Sequence, residues 1–502
     1  MAAAIIPEAA KKVLTPETLR SAAKQSVGCL VVPVRLRRAI KKYIREQEDP
    51  HTRNKVLRLS QSLNEIKGAS LQISAAASME LVDEAQSRRW KIQSSYGDIG
   101  LQYRDDQAIA YVASRTPAVF SACYRVLSEV RRRLPGFSPS TVLDFGAGTG
   151  SAFWALREVW PHSLEKVNLI EPSQSMQRAG RSLIQGRLKN LPLIHSYESI
   201  EALSKKIRKS ERKHDIVIAS YVLGEITSFN DRITIVRQLW ELTQDVLVLV
   251  EPGTPQGSSI ISQMRSHILW MEKRKLRKLK GKKGEASKDL VDPKSGAYIV
   301  APCAHDGACP LEKTGTYCHF VQRLQRTTTQ RIYKRSKGKP LRGFEDEKFS
   351  FVAFRRGQRP NEAWPLDGLK LETLKEQLAK RKPEDLEVDY DDLVKQQEEQ
   401  ALVPYEEPDP ATYDSDAMET TDVEYNSEVE EEETNRAGLG GGWGRIIFSP
   451  IRRGKQVTLN VCRSTKQDGS EGSYERIIIT KSKNPDLHCQ AKKSLWGDLW
   501  PF

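Results

Sequence analysis

The sequence predicts an α/β fold, in which a parallel sheet is covered by helices on both faces. A helical region precedes the sheet, and a cysteine-containing, β-rich extension follows it. Three observations predict this. Between residues 141 and 253, short apolar runs alternate with segments whose apolar residues recur at helical spacing, the pattern of strands buried between crossover helices. The first apolar run ends in a glycine-rich turn that opens a helix. Beyond residue 296 the helical period gives way to strand-like alternation and a concentration of cysteines.

The first 45 residues carry ten basic residues against two acidic ones, Glu8 and Glu17. That bias is compatible with a weak organellar presequence, although Pro7 and Pro16 are expected to interrupt any amphipathic helix. Helices are expected at 36–47, 54–66 and 70–90. In the first, Arg35, Arg37, Arg38, Lys41 and Lys42 lie at helical spacing, with Val34, Ile40 and Ile44 on another face. Those basic helices either cap the next domain or lie along phosphates. One long helix is expected over 105–134, stopped by Arg131–Arg133, Pro135 and Gly136. Then come strands at 141–146, 166–172, 191–195, 214–220 and 245–253, separated by helices at 151–159, 173–187, 197–209 and 230–243. Residues 321–354, 457–462 and 475–480 read as further strands. The division expected is 1–100 (helical), 101–265 (Rossmann-like), 266–360 (basic, with cysteines), 361–437 (disordered, acidic) and 438–502 (β segment).

The chain has 502 residues and a formal net charge of +14. Residues 384–433 hold 21 acidic residues against the single basic Lys395, so the other 452 carry 78 Lys+Arg against 44 Asp+Glu, or +34. A body that basic suits a polyanion, nucleic acid being the commonest. RNA contacts are expected at 273–283, with eight basic residues in eleven, and at 323–342, with eight basic residues and no acid. The acidic stretch is too poor in apolar residues to offset its ordering entropy. No run of about 18 apolar residues is present, so no membrane helix is expected. Seven cysteines, an odd number, argue for a reducing compartment rather than a disulfide scaffold.

Val142-Leu143-Asp144-Phe145-Gly146-Ala147-Gly148-Thr149-Gly150 is an apolar strand, an acid and a G-x-G-x-G turn. The glycines allow a tight turn and close approach of a ligand. The next strand ends in Glu171, 21 residues after Gly150, where an acid can hold ribose hydroxyls. A dinucleotide site would show G-x-G-x-x-G. The spacing found looks like motif I of S-adenosylmethionine-dependent methyltransferases, in which the glycine loop meets the methionine part and the second-strand acid the ribose. Gly146, Gly148, Gly150 and Glu171 are the candidate pocket residues, with Asp144 supporting the loop. No catalytic residue is assigned. The fourth strand ends in Ala219-Ser220-Tyr221-Val222 and not in the N/D-P-P-Y/F of enzymes that methylate base nitrogens. Tyr221 and Glu225 are polar candidates there, without an evident acid–base pair.

Cys303, Cys309 and Cys318 fall within sixteen residues of a Pro- and Gly-containing loop. Thiols clustered so in a reducing compartment suggest metal. The spacing leaves zinc and an iron–sulfur cluster open, and His305 and His319 keep zinc in play. A fourth ligand would be a histidine, Cys462 or Cys489. Cys29 and Cys123 are expected as packed thiols.

Taken together, Tyr111–Pro117, Leu134–Gly150, Glu251–Pro255, Pro302-Cys303, Cys309-Pro310, Cys318–Phe320 and Trp496–Leu499 resemble the methyltransferase-like protein 17 family. These are methyltransferase-like assembly factors of the mitochondrial small ribosomal subunit, and the resemblance covers about 111–357 and 443 to the end. It implies a monomer in the mitochondrial matrix that binds the small subunit, its rRNA and ribosomal proteins. It implies S-adenosylmethionine in a Rossmann-like methyltransferase fold, and a 4Fe-4S cluster on Cys303, Cys309, Cys318 and Cys462. It further implies no methyl transfer. The acidic stretch is longer than the family leads one to expect. The alternative is an active rRNA methyltransferase, and the missing N/D-P-P-Y favours the non-catalytic reading.

Overall fold

The computed structural model describes residues 16–47, 54, 56–57, 103–185, 191–226, 228–282, 294–334, 343–360 and 442–502. Most of the helices expected at 54–66 and 70–90, and the insertion expected at 361–437, lie outside the described residues.

At the N-terminal end, α1 (Pro16–Ala23), the short strand β1 (Cys29–Leu30) and α2 (Val34–Glu46) precede α3 (Asp105–Ser114) and α4 (Thr116–Arg133). Pro16, expected to interrupt a helix, begins one, because its missing N–H is an orphan there and its φ suits the first turn. The single helix expected over 105–134 is two. Arg115 sits at the break and Pro117 lies in the first turn of α4, where its ring cannot accommodate a continuous preceding turn.

The alternating section follows in order: β2 (Thr141–Phe145), α5 (Ser151–Val159), β3 (Lys166–Ile170), α6 (Gln174–Gln185), β4 (Leu193–Tyr197), α7 (Ile200–Lys206), β5 (His214–Ser220), α8 (Phe229–Glu241) and β6 (Thr243–Pro252). The 28-residue α9 (Pro255–Lys282) runs straight through the boundary expected at 265/266. After it, β7 (Ala297–Ala301), β8 (Phe320–Gln325), the short α10 (Thr328–Tyr333) and β9 (Phe344–Arg356) join the same sheet. The strand order is β1-β8-β9-β6-β5-β2-β3-β4, with β7 also on β9. From β4 to β6 all pairings are parallel, and β9 runs antiparallel to β6, β7 and β8.

The parallel half is therefore the Rossmann-like order third-second-first-fourth-fifth, which reverses between β2 and β5. In such sheets a ligand sits outside the carboxyl ends at that reversal. Successive side chains of the central strands go to opposite sides. Val142, Ile216, Ile218, Val246 and Val248 pack into the core under α4 and α5. Leu143, Val217, Ala219, Leu247 and Leu249 pack into the core under α8 and α9. Burial on both faces is why these strands read as unbroken apolar runs.

The C-terminal residues form a second, antiparallel sheet from β10 (Gly444–Ile446), β11 (Ile451–Arg453), β12 (Gln456–Ser464), β13 (Gly472–Thr480) and, after α11 (Pro485–Lys493), β14 (Leu499–Trp500). It is fastened to the first body by polar contacts. The Asp498 carboxylate accepts from the backbone N–H of Gln25 and Ser26, both at 2.8 Å. The Arg133 guanidinium lies 3.5 Å from the centre of the Trp443 ring.

Candidate cofactor pocket and candidate metal centre

The turn after β2 has Gly146, Gly148 and Gly150 at φ of +70°, +52° and +80°, a region L side chains rarely adopt. A Cβ on Gly146 would lie 2.5 Å from Val222 Cγ2, and one on Gly150 3.1 Å from Ile184 Cδ1. One on Gly148 would meet nothing closer than Met176 Cε at 3.6 Å. Gly146 is thus closed by packing, while Gly148 presents bare backbone. Glu171, just past β3, is held by two backbone donors: Gly148 N–H to Oε2 and Ser173 N–H to Oε1, both 2.9 Å. Gly148, Gly150, Glu171, Gln177, Arg181 and Ser196 help line a cavity of about 390 Å³.

The carboxyl ends of the parallel strands gather four acids, of which Asp144, Glu171 and Glu251 are buried and Glu225 is half-buried. Asp144 is fully buried and, among the described residues, neither of its oxygens has a hydrogen-bond partner. Burial, and then the neighbouring Glu171, push it up to about 7. Burial pushes Glu171 up to about 7 against its two backbone donors. Burial takes Glu225 to about 8 and Glu251 to about 7. The Tyr103 hydroxyl donates to Glu225 Oε1 at 2.8 Å, and the Tyr103 carbonyl accepts from Ser173 Oγ at 2.9 Å, so the start of the α3 segment folds over this end of the sheet. A surplus of buried acid around bare backbone suits a ligand that brings positive charge. The Glu171 carboxylate on the cavity wall and an open glycine cradle fit S-adenosylmethionine, a sulfonium cation with a ribose.

Beside the pocket, Tyr221 has φ of +59°, a strained value for a non-glycine residue. Its hydroxyl donates to Glu347 Oε1 at 2.9 Å. Arg115, the residue at the helix break, grips the same carboxylate with two bonds of 3.2 and 3.1 Å. The Tyr221 hydroxyl is held well above the ordinary phenol range, first by burial and then by Glu347. At the edge where base methyltransferases present an acceptor, this chain has an internal ion pair. Sequence reasoning found Tyr221 and Glu225 but missed Tyr103, Glu251 and Glu347. Glu251-Pro252 lay in a recognised signature, whereas nothing local marks the others.

The cysteine loop runs from β7 to β8. Arg265 of α9 pins it by donating to the carbonyls of His305 (3.1 Å) and Gly307 (2.5 Å). The β12–β13 hairpin closes on it backbone to backbone. Asp306 N–H donates to Gly469 O at 2.7 Å, and a Cβ on Gly307 would lie 2.7 Å from Ser470 O. Cys309, Cys318 and Cys462 consequently share one small apolar cluster with Leu311, Ile447, Phe448 and Tyr474, and Cys303 is an electrostatic neighbour of all three. Burial pushes the Cys309 thiol up to about 11 and takes Cys318 and Cys462 well above the usual range, with neighbouring thiols adding to it and Arg445 opposing it at the latter two. His305 Nε2 lies 3.4 Å from Cys462 Sγ. Among the described residues no group of three or more His, Cys, Asp or Glu side chains is arranged to hold a metal ion. The four thiols share a neighbourhood without closing about one point. As a donor set they are soft sulfur ligands, of the kind that take zinc or iron–sulfur clusters. Cys123 is buried in α4 as expected, whereas Cys29, also expected to be packed, is exposed on β1, at the end of the sheet. Cys489 is exposed on α11.

Of the basic stretch at 323–342, residues 335–342 lie outside the described residues, and three cations of the described part are paired with acids. Arg323 pairs with Asp346 at 2.8 and 3.0 Å, Arg326 with Glu345 at 3.4 Å, and Lys334 Nζ with both Glu345 oxygens at 2.8 and 2.7 Å. Antiparallel pairing of β8 and β9 sets Arg323 opposite Asp346, so Glu345 and Asp346 offset Arg323, Arg326 and Lys334. In the distal half of α9, by contrast, Lys273, Arg274, Lys275, Arg277 and Lys278 are exposed.

A family model described as "Mitochondrial small ribosomal subunit Rsm22" matches residues 105–366 and 410–501. "Ribosome assembly protein METTL17, mitochondrial" of Homo sapiens is 32% identical over 271 residues, which is 53% of this chain and 52% of the relative. "Rsm22-cox11 tandem protein 2, mitochondrial" of Schizosaccharomyces pombe is 24% identical over 410 residues, 79% of this chain and 43% of the relative. The chain spans about half the length of the curated relatives it matches. With the matched stretches taking in the glycine loop, the four acids, the three loop cysteines and Cys462, the chain belongs to the mitochondrial small ribosomal subunit Rsm22 family.

Proposed function

We propose that this chain is an assembly factor of the mitochondrial small ribosomal subunit, working as a monomer in the matrix. It binds rRNA and S-adenosylmethionine, holds a 4Fe-4S cluster on Cys303, Cys309, Cys318 and Cys462, and transfers no methyl group. The observation that carries the reading is the family match over both halves of the chain, supported by the human relative's name as a ribosome assembly protein. The absence of methyl transfer is supported by Tyr221, whose hydroxyl is committed to a carboxylate already gripped by Arg115. Tagged full-length chain in a mitochondrial lysate is expected to co-sediment with small-subunit particles that lack the large subunit. Sedimentation as free protein alone overturns the reading.

In the pocket, the Gly148 backbone takes the methionine part and the Glu171 carboxylate the ribose hydroxyls, since two of its lone-pair sites remain after its two backbone bonds. The ligand supplies a sulfonium cation that the surrounding acids offset. Calorimetry is expected to show binding by the wild type and none by Gly148→Asp, which sets a carboxylate against Glu171 at a φ of +52°. The pH dependence has a definite sign. Glu171 is raised to about 7, so below that pH it is protonated and must lose its proton to accept from the ribose. Affinity should therefore rise as pH climbs towards about 7 and level off above it. No binding by the wild type at millimolar ligand, or affinity that falls over that range, counts against this assignment.

A further inference from the structure

We propose that the outer face of α2 is an RNA-backbone binding surface. This rests on the rRNA-binding reading above and names a surface for it. The helix buries Leu36, Ala39, Ile40 and Ile44 against the body. On the other side Arg35, Arg38, Lys42 and Arg45 are exposed, at intervals of three, four and three residues, which forms one stripe down the helix. At about 1.5 Å per residue the stripe is about 15 Å long, enough to face several phosphates of an RNA backbone. Arg38, Lys41, Lys42 and Arg45, with Glu46, line an open groove along this face.

Two further observations point to an anionic partner rather than to a merely solvated helix. The first concerns position. Arg35, Arg37 and Arg38 occupy the first turns, and the first turn contains no acidic residue. Cations there oppose the helix dipole, a placement that weakens the first turn. The arrangement disfavours the helix by itself and favours an anion at its N-terminal end. The second concerns compensation. Arg326 and Lys334 of the β8–β9 region are tied to a shielded Glu345. Among the described residues Lys42 of α2 pairs with Glu46 at 3.5 Å, between side chains 59% and 49% exposed, and such pairs are weak and open to exchange. Arg35 also stands near Arg157 and Glu158 of α5, so the N-terminal end of the stripe meets the body at a paired cation and acid. The partner is the phosphate backbone of RNA, recognised by charge and spacing without base readout.

The test uses full-length protein and a labelled small-subunit rRNA fragment, titrated between about 50 and 200 mM salt. Arg35, Arg38, Lys42 and Arg45 are changed together to Gln, a good helix former. If the wild type fails to bind RNA at all, the rRNA reading itself falls. If it binds, the variant should lose affinity at low salt and its salt slope should drop by roughly 0.7–0.9 per lost contact. Its melting temperature should stay level or rise slightly, because unfavourable charges have left the helix start. Unaltered affinity and slope in the variant overturn the proposal, as does a large fall in melting temperature, which would make the face structural. A third arm uses vesicles of phosphatidylcholine and cardiolipin. Loss of vesicle binding in the variant with RNA binding intact would assign the surface to a membrane and overturn it too.

Discussion

Replacing Glu129 with Gln should cost about 3–5 kcal/mol of stability, the usual range for breaking a buried ion pair from one side. Glu129 is fully buried on α4, and its carboxylate accepts from Arg125 Nη1 at 3.1 Å and from both terminal nitrogens of Arg445. Arg133 adds a third nearby guanidinium, itself driven well below its ordinary range by burial and then by Arg445. Burial alone would raise the Glu129 carboxyl, but Arg445 and then Arg125 outweigh it and hold it at about 2. The amide would leave these cations facing one another in a dry interior. Thermal unfolding of the full chain, followed by circular dichroism, should show the loss. A triple replacement that makes Glu129, Arg125 and Arg445 apolar should recover part of it, because no charge is then stranded. The pH dependence has the depressed-carboxylate sign. The stabilisation is complete above the ordinary carboxyl value of 4.5 and fades as pH falls towards about 2. A Gln variant as stable as wild type would show that the arginines are satisfied elsewhere. Because Arg445 lies on β10 opposite Cys462 of β12, this ion cluster also fixes where the C-terminal sheet docks.

The parallel half of the sheet and the glycine pocket were legible because their physics is local. Strands buried on both faces must be apolar throughout, and a turn with three positive φ values needs glycine. Glu171 was legible because a parallel neighbour at a fixed crossover distance places its end beside the loop. What escaped depends on partners far along the chain. Arg115 meets Glu347 across 232 residues and Glu129 meets Arg445 across 316, and no window in the sequence holds both members. The pairing of three cations in the basic stretch at 323–342 is hidden from the sequence for the same reason. Its acids, Glu345 and Asp346, begin three residues past the window, and only antiparallel register lays them over Arg323 and Arg326. The break at Arg115 was foreshadowed by Pro117, which was read through because the apolar pattern continues on either side. Cys29 looked packed because its neighbours are apolar, yet in a strand neighbours alternate faces, and Leu30 took the inward one.

Cys462→Ser should abolish or destabilise the metal centre, while Cys489→Ser should leave it intact. Purified without oxygen, the wild type is expected to be brown and to hold about four iron and four sulfide per chain, the content of a cubane. Cys303, Cys309 and Cys318 come from a single loop, and such a cluster needs a fourth thiolate from elsewhere. Cys462 is buried within the same apolar cluster as Cys309 and Cys318, and its sulfur is 3.4 Å from His305 Nε2. Cys489 is exposed on α11, outside that cluster. Thiols buried together are held in the neutral form, and a metal centre reverses that preference by supplying the positive charge that thiolates lack. The nearby Arg265 and Arg445 push Cys462 the same way. Since 143 residues separate Cys318 from Cys462, ligation would close a long loop and tie the C-terminal sheet to the Rossmann-like body, and metal binding would then contribute to folding. Loss of iron in Cys462→Ser should thus come with a lower melting temperature, whereas Cys489→Ser should change neither. Stoichiometric zinc without iron in the native protein would replace the cluster and keep the ligands. Full iron content in Cys462→Ser would place the fourth ligand elsewhere.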